Sequence, residues 1–131
     1  MKPLDVILTD VAPLPPNGSS QALRYGNRLV TSSFTGANPH GSGITPGGFA
    51  AEFRLAVHYL QAVLNAARCT LHDVVRINIV LTDMKYVEEL DQLMAEYFHA
   101  PYPTQTVSGV MSLRGGAQVA IDVWAVIRDD A

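Results

Sequence analysis

Cysteine is nearly absent from this 131-residue chain: Cys69 stands alone. No intramolecular disulfide can form, and no cysteine-based metal site can be assembled. Charge is sparse as well, with nine lysines and arginines against twelve aspartates and glutamates, a net charge of −3. The cations are scattered from Lys2 to Arg128, so no basic patch exists to release counterions from phosphates. That argues against nucleic acid as a partner. No apolar run reaches the roughly 20 residues of a membrane span. Met1–Leu8, interrupted by Pro3 and Asp5, does not read as a signal peptide. The expectation is a cytoplasmic protein that meets neither membrane nor nucleic acid.

What is present is apolar. At 48% hydrophobic and 16% charged residues the chain is globular, and its length fits a single domain over residues 1–131. Charge this low is unusual, and a strongly apolar surface would point to an oligomer.

Local signals order the elements. Ala12–Ala22, "APLPPNGSSQA", is a loop. "LRYGNRLVTSS" reads as two short strands turning at Gly26–Asn27. Thr35–Gly48 is a second polar loop, long enough to be functional or mobile. From Phe49 to Ala67, Phe49, Phe53, Val57, Leu60 and Leu64 recur at steps of three and four, one face of a helix. Thr45 and Pro46 suit its N-cap and first position.

Val74–Leu81, "VVRINIVL", alternates as a strand, with Val75, Ile77, Ile79 and Leu81 on one side and Arg76 and Asn78 on the other. Asp83 caps a second helix, whose apolar face is Val87, Leu90, Met94, Tyr97 and Phe98. Strands near Thr106–Met111 and Gln118–Ile127, joined at Arg114–Gly115–Gly116, close the chain. The order β-β-α-β-α-β-β is an α+β sandwich, one sheet with two helices on one face. Two helices leave the other face bare, and copies of the same chain are its economical cover.

Candidate chemistry is thin. His40, His58, His72 and His99 show no metal-ligand spacing, and no cofactor fingerprint occurs, so neither metal nor cofactor is expected. Among the carboxylates, Asp91 on a helix and Asp122 on a strand are best placed for acid–base work. Cys69, in "AARCT", reads as structural. Ser32 and Ser33 face a polar loop as ligand-contacting hydroxyls, without a nucleophile elbow.

Four stretches, "SSQAL" before "YGNRLVTSS", "VVRINIVLTDM", "AEYFHAPYPTQTVSGV" and "VAIDVWA", resemble the Rid family of reactive-intermediate deaminases, the YjgF-like proteins, over about residues 12–127. The resemblance implies a chorismate-mutase-like α+β fold and a homotrimer with small-molecule pockets between subunits. It also implies hydrolysis of imines and enamines to ketoacids and ammonia. The position of the family's carboxylate-binding arginine falls on Gln105, which has no charge and no guanidinium fork. Ser19 stands at the family's tyrosine, Ser33 and Phe34 at its glycine and glutamine, Asp91 at its frequent asparagine, and Ala120 at its glutamate; Ser32 is retained.

The binding set expected from this is Gln105, Ser32, Ser33, Phe34, Ser19 and Thr104, with Asp91 and Ser32 as the catalytic candidates. The expected activity is hydrolysis of an imine, enamine or related C–N bond in a substrate other than the usual 2-imino acids. A non-catalytic metabolite-binding trimer is the alternative, and an endoribonuclease is the least favoured reading.

Overall fold

Val74–Leu81 is the spine of the molecule, because its alternating apolar residues let a central strand pack against helices on one side. The computed structural model describes residues 4–39 and 43–128. The elements are β1 (Asp5–Ile7), β2 (Ala22–Tyr25), β3 (Arg28–Thr31), α1 (Phe49–Ala66), β4 (Val74–Leu81), α2 (Val87–Tyr97), β5 (Thr104–Gly109) and β6 (Val119–Val126). They form one mixed six-stranded sheet in the order β1-β2-β3-β6-β4-β5. Only β4 and β5 run parallel, as the crossover through α2 requires. The expected α+β layout is present.

The core lies between the sheet and the helices. Phe53, Leu60 and Leu64 of α1 and Leu90 of α2 are fully buried against Ile77, Ile79 and Ile121. Leu93, which the pattern of α2 did not single out, is buried too. Arg76, Asn78, Thr106, Asp122 and Trp124 occupy the opposite face, which no described element covers. There Asn78 Nδ2 donates to Asp122 Oδ2 at 3.0 Å and Arg76 Nη2 to Thr106 Oγ1 at 2.6 Å. Trp124 remains 38% exposed.

The structure departs from the sequence reading in five places. A strand precedes the expected hairpin: β1 is only three residues long, too short to carry a periodic signal, and pairing with β2 holds it. The N-cap of α1 is Gly48 at φ 88°, not Thr45, whose N–H donates to the Gly36 carbonyl instead. A bulge between Val74 and Arg76 turns Val75 outward and Val74 into the core. Strand β5 begins at Thr104 rather than Thr106, so Gln105 lies inside the strand. Asp83 caps a short 3₁₀ turn over Met84–Tyr86 that leads into α2.

Cys69 is buried, and burial pushes its thiol up to about 11, with the neighbouring Asp73 carboxylate adding to the shift. Among the described residues, no helix is long and apolar enough to cross a membrane. No three His, Cys, Asp or Glu residues among them are grouped closely enough to hold a metal ion.

Candidate functional site

Five of the residues singled out from sequence, Ser32, Ser33, Phe34, Asp91 and Gln105, fall into two cavities. The larger, about 410 Å³, is lined by Ser32, Ser33 and Phe34 where β3 ends. Its rim is the loop Pro13–Pro16. A loop so rich in proline cannot hold itself by backbone pairing, and the buried Gln21 does this instead. Gln21 Oε1 accepts from Thr9 N at 2.8 Å, while Nε2 donates to the carbonyls of Thr9, Ala12 and Pro13 at 3.0, 3.2 and 3.0 Å. Residues Ala37 and Ile44, paired in a β-bridge, form the opposite wall. Tyr59 Oη anchors that wall by donating to the Ala37 carbonyl at 2.7 Å.

Ser32 is half-buried, and its Oγ donates to the Ser20 carbonyl at 2.6 Å. Its proton is engaged; its lone pairs are not. Ser33 is exposed. Phe34 is buried at the back of the cavity, where its backbone exchanges hydrogen bonds with Ile121 at 2.8 and 2.9 Å and its ring tilts against Tyr59.

The smaller cavity, about 230 Å³, brings Gln105 together with Asp91. Gln105 is in register with Ile77 of β4, so it points to the helix side of the sheet, where Asp91, Met94 and Phe98 meet it. Asp91 is exposed in the single chain. No cation lines this cavity among the described residues. Within one chain the Ser32 and Gln105 groups remain apart.

Two expected ligand residues lie elsewhere. Thr104, one position from Gln105, falls on the opposite side of the strand, and its Oγ1 donates to the Val75 carbonyl at 3.0 Å across the bulge. Ser19 is exposed and lines a separate cavity of about 260 Å³ beside β1. Ala120, paired with Val80, is buried. His58, His72 and His99 line an open cleft of about 850 Å³ on the helix layer. His40 lies outside the described residues.

Sequence reasoning did not assign Arg114 to the site, yet it lines the Ser32 cavity with Gly115. Nor did it find the brace beneath that loop. Buried Glu52 accepts from Gln118 N at 2.8 Å and from Gln118 Nε2 at 2.6 Å. The only local signal for Arg114 is a cation next to two glycines, which reads as a turn.

Over residues 9–127 the chain matches the family model described as Endoribonuclease L-PSP. The chain belongs to this family, that of the Rid (YjgF-like) proteins. Within it, the chain is 31% identical over 127 residues to the 2-iminobutanoate/2-iminopropanoate deaminase of Dermatophagoides farinae, covering 97% of this chain and 99% of the relative. It is 30% identical over 121 residues to the mouse protein of the same name, covering 92% and 90% of the two chains. Among solved structures it is similar to RidA from an Antarctic Psychrobacter. That comparison has a TM-score of 0.88 and 30% identity, covering 94% of this chain and 99% of the other. A Rid-family protein of Yersinia pestis superposes with a TM-score of 0.90 at 26% identity, covering 95% and 100%. Both the mite and the mouse relatives are named as imine deaminases.

Proposed function

We propose that this Rid-family chain hydrolyses an imine or enamine outside the usual 2-imino acids, in pockets formed between the subunits of a homotrimer. The observation that carries the reading is the Gln105–Asp91 cavity, which offers a neutral amide and a carboxylate and no cation. An α-carboxylate entering there finds no opposite charge and one like charge. A protonated imine nitrogen finds Asp91. Water adds to the imine carbon, the C–N bond breaks, and the products are a carbonyl compound and ammonia. In this reading Asp91 stabilises the cationic nitrogen and takes a proton from the attacking water.

The trimer answers two features at once. The sheet face bearing Trp124, Arg76 and Asp122 needs a cover, and the Ser32 and Gln105 cavities need a neighbour to become one site. A second reading, ligand binding without turnover, draws on buried apolar Ala120 at the position where the family resemblance puts a glutamate.

The test is competition with semicarbazide, using imines generated in situ by oxidation of amino acids and of primary amines. Faster hydrolysis of the amine-derived imines than of 2-iminobutanoate is the expected result. Silence across the panel supports the binding reading, and rapid turnover of 2-iminobutanoate removes the role given to Gln105. Sedimentation of the same sample tests the trimer.

A further inference from the structure

Arg114 is a cation with no counter-ion among the described residues. It is exposed, and no described residue forms an ion pair or hydrogen bond with its guanidinium. The cavity it lines contains no carboxylate among its described walls; the other polar side chains there are the hydroxyls of Ser32, Ser33 and Thr35. Most of the remaining wall is apolar, from Pro13, Leu14 and Pro16 to Phe34 and Ile44. A guanidinium at the edge of an apolar cavity that it shares with the Ser33 and Thr35 hydroxyls is an arrangement for a small anion.

The backbone that presents Arg114 is fixed. Gly116 N donates to the Leu113 carbonyl and Ala117 N to the Arg114 carbonyl, both at 3.2 Å. Gly115 takes a left-handed conformation at φ 68° and lies against Ile44, a contact an added Cβ would make at 3.5 Å. Downstream, the Glu52 carboxylate holds Gln118 by two hydrogen bonds. A turn braced at both ends spends little conformational freedom when its arginine engages a ligand.

We infer that Arg114 is the anion anchor of the Ser32–Ser33 cavity and holds the carboxylate of a small ligand whose chain lies along the Pro13–Pro16 and Phe34 walls. Combined with the function proposed above, on which this step alone rests, the two ends of the site divide the substrate. The nitrogen goes to Asp91 and Gln105, and the carboxylate goes to Arg114. The substrate is then an imine or enamine whose carboxylate is separated from the reacting carbon, a chemistry that a 2-imino acid, with both groups on one carbon, does not offer.

The experiment is calorimetric titration of the full chain with three ketones, the class of product that imine hydrolysis releases. The probes are 4-oxopentanoate, 2-oxobutanoate and uncharged 2-pentanone. The expected result is tightest binding of 4-oxopentanoate. In Arg114→Gln its affinity falls by about ten- to a hundredfold, the scale of one lost charge-assisted hydrogen bond, while Arg114→Lys retains part of it. Binding of 2-pentanone stays unchanged in both variants, and matching melting curves show that the fold is intact.

Equal affinity of wild type and Arg114→Gln for 4-oxopentanoate overturns the inference, as does no binding of either carboxylate by the wild type. Preference for 2-oxobutanoate overturns the division of the substrate and leaves Arg114 as an anchor. The proposed hydrolysis fails or stands separately. Arg114-dependent binding with no imine turnover removes the catalytic reading alone, and turnover of amine-derived imines untouched by Arg114→Gln removes the anchor alone.

Discussion

Glu52 and Gln118, 66 positions apart, are joined by two hydrogen bonds of 2.8 and 2.6 Å in which the carboxylate takes both a backbone and a side-chain proton. The pair ties the first turns of α1 to the loop that enters β6. It works through burial: Glu52 is 3% exposed, and a carboxylate out of water must have its lone pairs occupied. Glu52→Ala leaves the Gln118 N–H without its acceptor. The expected loss is about 2–3 kcal/mol, the scale of hydrogen bonds to a charged group, measured as a shift in the urea midpoint.

Gly36 explains why that brace can sit so close. A Cβ built on Gly36 would stand 2.6 Å from Glu52 Cα, a backbone atom of a helix that has nowhere to move. Gly36→Ala is therefore expected to destabilise by about 3 kcal/mol, at the top of the range for overpacking. Thermal melting checks it, and a Tm equal to wild type would show that the loop and α1 separate freely.

Thr104 offers a contrast with its neighbour. Its hydroxyl donates to the Val75 carbonyl across the bulge of β4 and lies on the far side of the strand from Gln105. Thr104→Val is expected to cost about 1 kcal/mol of stability and to leave KM and kcat for any accepted imine unchanged. A changed KM would place Thr104 at the ligand.

Cys69 gives a pH dependence. Burial raises its thiol from 9.0 to about 11 in the fold, so the unfolded chain loses this proton first as pH rises. The associated stability is fully present below pH 9 and is lost as pH rises through 11, up to roughly 3 kcal/mol in total. Denaturation midpoints at pH 8 and pH 10.5 should differ in the wild type by more than in Cys69→Ala, which lacks the group. Equal slopes in both proteins would assign the alkaline loss to other residues.

Much of this molecule is legible in its sequence because periodicity is a local property. The alternation of Val74–Leu81 locates β4, and the three-and-four spacing from Phe49 locates α1. Asp91 and Gln105 line one cavity because a helix and the following parallel strand are neighbours by connection. What escaped depends on distant partners. β1 exists through its pairing with β2, and Val75 turns outward at a bulge that no pattern announces. Thr104 was grouped with Gln105, although a strand sends adjacent side chains to opposite faces. Arg114 joins Ser32 only because the fold brings residues 82 positions apart to one cavity.

The measurement that bears most directly on the account is the rate of 2-iminobutanoate hydrolysis by the wild type and by Gln105→Arg, side by side, by semicarbazide competition. Restoring a guanidinium beside the Asp91 cavity supplies the charge an α-carboxylate lacks there. The account predicts slow turnover by the wild type and a gain in kcat/KM of about ten- to a hundredfold in the variant. Fast turnover by the wild type, unchanged or lowered by the substitution, would contradict it.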